Sequence, residues 1–157
     1  MSLVVGEPAP PIDLPGVDGA TGEEHRYRSV EALGSPLVLV FYPQDSSPVC
    51  TRQLIDYTRE IGRLDELGAV VWALSPQGIE DHRRFAAEQG GFAFPLLADV
   101  DKAVGRAYDI LGLLDLYRRS IVVIDAAGVV RWTHRSVGPG MTYRPVDELV
   151  AAVLETL

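Results

Sequence analysis

The run Pro36-Leu37-Val38-Leu39-Val40-Phe41-Tyr42 is continuously apolar and is bounded by Gly34-Ser35 on one side and Gln44-Asp45 on the other. A segment this short, with no polar alternation, reads as a central strand buried on both faces. Such a strand needs a covering layer on each side, so its neighbours in the sequence decide the architecture.

Before the strand, residues 5–35 are rich in Gly, Pro and acidic side chains, with Pro8, Pro10, Pro11 and Pro15 followed by Gly16, Asp18, Gly19 and Gly22. This predicts extended chain and a hairpin turn, an N-terminal flap on the domain. After it, Leu54, Tyr57, Ile61 and Leu64 recur at helical spacing, and Gly68 stands where the helix should end. Ala69 to Leu74 is the next buried strand. Ile79, His82, Phe85 and Ala86 mark a second amphipathic helix that stops at Gly90-Gly91, followed by the short apolar segment Phe94 to Leu97. Lys102 to Tyr108 is a short helix. Ser120 to Ile124, the turn Asp125 to Gly128, and Val129 to Thr133 form a hairpin. Val146, Leu149, Val150, Val153 and Leu157 give a closing helix opened by Pro145. That order has a parallel half and an antiparallel half. It predicts an α/β, thioredoxin-like fold: a central mixed sheet flanked by helices, with an N-terminal hairpin extension. At 157 residues and 47 % hydrophobic, with no second composition block, residues 1–157 are expected to form one domain.

A formal charge of −8 is the wrong sign for a surface that neutralises nucleic-acid phosphates. No stretch approaches the roughly 18 apolar residues of a membrane span, and Met1 to Pro11 has neither the basic nor the apolar region of a leader. A soluble, cytoplasmic protein is expected. The histidines His25, His82 and His134 are far apart and lack paired-ligand spacing, so no metal is expected. His82 falls on an apolar stripe and reads as a satisfied, partly buried histidine. No glycine-rich nucleotide loop is present, and Gly138-Pro139-Gly140 reads as a turn. With one cysteine, any disulfide must be intermolecular.

That cysteine, Cys50, lies just beyond the central strand, where the following helix begins. There the unpaired backbone N–H groups and the positive end of the helix dipole favour thiolate over thiol. A lone cysteine is by itself a small hydrophobe, but the surrounding residues change that reading. Phe41-Tyr42-Pro43-Gln44-Asp45-Ser46-Ser47-Pro48-Val49-Cys50-Thr51 resembles the peroxiredoxin signature Pro-x-x-x-Thr/Ser-x-x-Cys, filled by Pro43, Ser47 and Cys50. Its wider form resembles the bacterioferritin-comigratory, or Q-type, subgroup. Gly6-Glu7-Pro8-Ala9-Pro10, Phe94-Pro95-Leu96-Leu97-Ala98-Asp99 and Arg119-Ser120 followed by IVVID are similar to further landmarks of that family, in the same order.

The resemblance implies a thiol-dependent peroxidase acting on hydrogen peroxide or organic hydroperoxides, with no metal or organic cofactor. It implies that Cys50 is the nucleophile, that Ser47 supplies a hydroxyl, and that the backbone N–H groups of Val49 and Cys50 bind peroxide oxygen. Arg119 then contributes guanidinium donors and favours the thiolate, while Pro43 shields it from water. Ser47 also stands at the helix N-cap, and its spacing of three from Cys50 allows both to share one face.

Two positions depart from the family. Five residues after Cys50, where many relatives carry a second, resolving cysteine, this chain has Ile55, so the cycle must be of the one-cysteine kind. An external thiol must then resolve the sulfenic acid; thioredoxin, a glutaredoxin-like protein and a low-molecular-weight thiol are the candidate reductants. Three residues after Cys50, where the family often has Glu, stands Gln53, taken here as part of the substrate-binding set. A disulfide reductase would need the thiol that Ser47 replaces in Ser47-Pro48-Val49-Cys50. A redox sensor or interaction module without turnover is the non-enzymatic alternative. Ile110 to Tyr117 is unusually apolar for a connection: it suits a dimer contact, a lid beside the site or a short core helix, and the chain is compatible with monomer or homodimer.

Overall fold

The computed structural model describes residues 3–137 and 141–157. The turn expected at Gly138-Pro139-Gly140 lies outside them.

Among the described residues, seven strands form one mixed sheet. In chain order they are β1 (Asp13–Val17), β2 (Glu24–Arg28), β3 (Leu37–Phe41), β4 (Val70–Ser75), β5 (Leu96–Ala98), β6 (Ser120–Ile124) and β7 (Val130–Arg135), and across the sheet they run β2-β1-β5-β4-β3-β6-β7. β3 pairs parallel with β4, and β4 parallel with β5; the β1–β2 and β6–β7 hairpins close the two sides antiparallel. The continuous apolar character of β3 has its cause here. It lies between β4 and β6, and every one of its residues is buried.

The helices are α1 (Pro48–Arg59), α2 (Ile61–Asp65), α3 (Ile79–Glu88), α4 (Ala103–Ala107) and α5 (Val146–Leu154). Strand alternation sends Val38, Val40, Val71, Ala73, Ile121 and Val123 into one core with Leu54, Tyr57, Phe85, Leu149 and Val153 of α1, α3 and α5. The alternate residues Leu39, Phe41, Trp72, Leu74 and Val122 face a second core with Ile12, Val104 of α4, Tyr108, Ile110 and Tyr117.

The thioredoxin-like expectation therefore holds, as does the N-terminal hairpin. Differences are local. The helix after Cys50 is not continuous: at Glu60 the backbone leaves helical values (φ −108, ψ 13), and α2 restarts at Ile61 and packs on α5, where Arg63 reaches Asp147 at 2.6 Å. The closing helix ends at Leu154, so Leu157, expected on its apolar stripe, is exposed. Ile110 to Tyr117 is no core helix. Its ends, Ile110 and Tyr117, are buried, while Leu113, Leu114 and Leu116 between them face outward around a tight turn at Leu113–Asp115. Among the described residues no helix is long and apolar enough to cross a membrane.

Candidate active site

Cys50 is the third residue of α1 and is fully buried. Pro48 opens the helix, where its missing N–H costs nothing. The N–H groups of Val49 and Cys50 belong to the first turn, which has no carbonyl one turn back to receive them. Ser47 is the cap residue by position, and its carbonyl accepts from both the backbone N–H and the hydroxyl of Thr51, at 2.9 and 2.7 Å. Its side chain does not cap the helix as expected: the hydroxyl donates instead to the Gln44 carbonyl at 3.1 Å, back into the turn that carries Pro43.

Arg119 reaches Cys50 by register. Phe41 of β3 is opposite Ser120 of β6, and Ile121 and Val123 face the core that contains Cys50. Two residues before Ile121, Arg119 points to that same face. Arg118, one residue off, points away and donates to the Ser136 carbonyl at 2.6 Å. Arg119 is 4 % exposed. Its Nη2 donates to Cys50 Sγ at 3.3 Å and its Nη1 to Gln53 Oε1 at 2.6 Å. Gln53, fully buried one helical step from Cys50, donates its Nε2 to the Tyr57 hydroxyl at 3.2 Å, and Tyr57 donates to the Arg144 carbonyl at 2.6 Å. Burial, above all, pushes the Tyr57 hydroxyl well above its ordinary range, so it stays a donor. The sulfur is thus held by a fork whose other prong is braced through α1 to the segment before α5.

Tyr42 follows directly after β3, in the same core as Cys50, and is fully buried. Its hydroxyl donates to Asp45 Oδ1 at 2.7 Å. Burial first, and then the Asp45 carboxylate, drives its acidity far down, with a smaller effect from Cys50. Pro43 and Gln44 line a cleft of 470 Å³ with Pro76, Val100, Leu116 and Tyr117. The outward-facing Leu116 thus belongs to the surroundings of the Pro43 turn.

Cys50, Gln53 and Arg119 are therefore brought together, Pro43 and Ser47 stand in the turn leading to them, Val49 is in the first turn of α1, and no carboxylate–histidine group suited to a metal ion is found among the described residues. Sequence reasoning missed Tyr57, Tyr42 and Asp45. Tyr57 was read only as an apolar contact, although the Gln53–Tyr57 spacing of four already permits a hydrogen bond on one helix face. Asp45 lay inside the motif with no role assigned.

The AhpC/TSA family matches residues 5–133. Peroxiredoxin Bcp of Xanthomonas campestris is 35 % identical over 75 % of this chain and 71 % of its own length, and Peroxiredoxin Bcp of Bacillus subtilis is 30 % identical over 100 % and 96 %. Among solved structures, Mycobacterium tuberculosis AhpC superposes with a TM-score of 0.88 at 18 % identity over 99 % of this chain and 98 % of that one, which speaks for the fold alone. The bacterioferritin comigratory protein of Xanthomonas campestris, solved to study its alkyl peroxide reduction activity, gives a TM-score of 0.75 at 28 % identity over 90 % of each chain. Family match, identities and full-length superposition agree with what the Cys50–Arg119 contact suggests: the chain belongs to the AhpC/TSA family and is a peroxiredoxin.

Proposed function

We propose that the chain reduces hydrogen peroxide or an organic hydroperoxide through Cys50 in a one-cysteine cycle. The thiolate attacks the terminal oxygen of the peroxide in line with the O–O bond. The S–O bond forms, the O–O bond breaks, the sulfur loses two electrons to become a sulfenic acid, and the leaving alkoxide or hydroxide takes up a proton. Negative charge moves from sulfur to the departing oxygen during this step, so donors aimed at that path lower the barrier. The Arg119 fork is the observation that carries this reading, because it sets a permanent cation against the sulfur at 3.3 Å.

The N–H groups of Val49 and Cys50 are the donors on the helix side. Ser47 joins them by exchanging its Gln44 partner for a peroxide oxygen. Gln53 acts through Arg119, whose Nη1 it holds at 2.6 Å while its own Nε2 donates to Tyr57. Pro43 keeps water off the thiolate. An external thiol then attacks the sulfenic sulfur, releasing water and leaving a mixed disulfide, and a second thiol frees Cys50 as the disulfide departs. Thioredoxin, a glutaredoxin-like protein or a small thiol fits this need, and the abundance of such thiols in the cytoplasm supports an antioxidant role there.

Stopped-flow oxidation of the reduced protein by peroxide tests the proposal. Trp132 packs against the Cys50 core and reports it by fluorescence. Oxidation far faster than for free cysteine, with one sulfenic-acid adduct on Cys50 and none in Cys50→Ser, is the expected result. Reaction no faster than free cysteine sinks the proposal. Fast oxidation without turnover by any thiol marks a redox sensor instead.

A further inference from the structure

A second buried polar cluster lies beside the peroxidase site and takes no part in the chemistry above. His82 of α3 is fully buried, and Asp45 in the turn before α1 is 8 % exposed. The His82 Nδ1 is 2.6 Å from Asp45 Oδ2, and its Nε2 is 2.9 Å from the Leu97 carbonyl of β5. A backbone carbonyl only accepts, so Nε2 carries a proton. Asp45 Oδ1 meanwhile accepts from the Tyr42 hydroxyl at 2.7 Å. One proton lies between Nδ1 and Oδ2. With Asp45 charged, Nδ1 must also carry a proton, and the ring is an imidazolium.

We propose that His82 and Asp45 form a buried imidazolium–carboxylate pair that positions the Pro43–Ser47 turn and cancels, beside the Cys50 thiolate, the charge that Asp45 would otherwise present there. The proposal rests on the peroxidase reading. Its geometry joins three elements to one short turn. His82 ties Asp45 to α3 and β5, and Gln77, after β4, accepts from the Asp45 N–H at 3.0 Å and from Ser75 at 2.8 Å. Asp45 is five residues before Cys50 and shares the Tyr42 hydroxyl with it electrostatically. The titratable groups facing His82 are Asp45 and Tyr42, whose ring centroid is 6.4 Å from the imidazole, with Cys50 beyond Tyr42. On α3 itself, the neighbouring Asp81 is turned to solvent and paired with Arg84.

A buried charge that loses its partner must be neutralised or must act on its neighbours. In His82→Gln the Asp45 carboxylate is left without its cation, and a negative charge near Cys50 opposes thiolate formation. In the double variant Asp45→Asn/His82→Gln both charges are gone and that opposition disappears. Positioning and charge therefore separate: a packing role alone would lower stability in both variants without moving the pH profile in opposite senses.

The first test needs no variant. Nitrogen NMR of the intact, histidine-labelled protein should show both His82 ring nitrogens protonated between about pH 5 and 8, while an ordinary histidine titrates within that window. An unprotonated Nδ1 across that range overturns the proposal. The second test is the pH midpoint of Cys50 alkylation. It should move up in His82→Gln and return in the double variant, with peroxide oxidation of His82→Gln slowed by about 10- to 100-fold. An unmoved midpoint in a folded His82→Gln also overturns it. Slow oxidation of the unaltered protein would defeat the peroxidase reading alone, because the nitrogen spectrum is independent of it.

Discussion

Arg119 makes two different demands on one side chain: Nη1 holds Gln53 and Nη2 holds sulfur. Lysine keeps the charge but presents a single point donor with no fork. Arg119→Lys should therefore fold, because its charge still has Gln53 to bond, yet its second-order rate constant with peroxide should fall by about 10- to 100-fold, equal to about 1.4–2.8 kcal/mol of barrier. Stopped-flow measurement of the variant checks this, and an unchanged rate would remove Arg119 from the chemistry. At this scale the sequence was informative where a residue's identity is its function. Cys50 and Arg119 were legible from their motifs, and strand alternation separates Arg119 from Arg118. The Ser47 hydroxyl was not legible, because spacing assigns a face of the helix but no rotamer, and the Gln44 carbonyl competes for that proton. His82 was half legible. A histidine on an apolar stripe must find partners, but which ones is settled by Asp45 and Leu97, 37 and 15 residues away in the chain.

At the level of elements, periodicity found nearly every strand and helix, since each buries one stripe or both faces. What it could not find were the joints. Nothing in the spacing of Leu54, Tyr57, Ile61 and Leu64 announces the break at Glu60, because the same apolar stripe serves one helix or two. In Ile110 to Tyr117 the composition is apolar but the backbone is not helical: Leu114 and Asp115 both take positive φ, which β-turn geometry allows and a core helix does not. The N-terminal hairpin shows how tightly such joints fit. Gly19 in its turn accepts from the Phe92 N–H at 2.9 Å, and a Cβ there would lie 2.6 Å from the Phe92 carbonyl oxygen and closer still to that of Phe94. Both obstacles are backbone and cannot swing aside. Gly19→Ala should cost about 1–3 kcal/mol in urea unfolding, with the loss felt at the β1–β5 junction, where only Gly16 and Val17 pair with Leu97 and Leu96. An unchanged midpoint would mean that the turn is looser than its contacts imply.

Across the whole molecule, acid sensitivity follows from carboxylates held in their charged form. Asp125 closes the β6–β7 turn. Burial would raise its pKa, but the N–H groups of Val129 and Ala127, both at 2.9 Å, and Arg131 at 2.7 Å outweigh that and hold it below the usual carboxylate range. A group lowered in the folded state contributes stability above its unfolded value of about 3.9 and loses it as pH falls through the folded one. Asp125→Asn keeps the two backbone bonds and loses the charge, so it should be about 1 kcal/mol less stable near pH 6. That gap should close as the pH drops below about 4. Paired urea titrations at the two pH values check the sign.

The complete burial of Cys50 carries one more consequence. In this closed conformation not even a water molecule touches the sulfur, so thiol labels, like peroxide itself, must wait for the first turn of α1 to come away from the sheet, and the rate of labelling reads how often it does. With no other thiol in the chain to confuse the signal, the nucleophile doubles as a stopwatch for its own door.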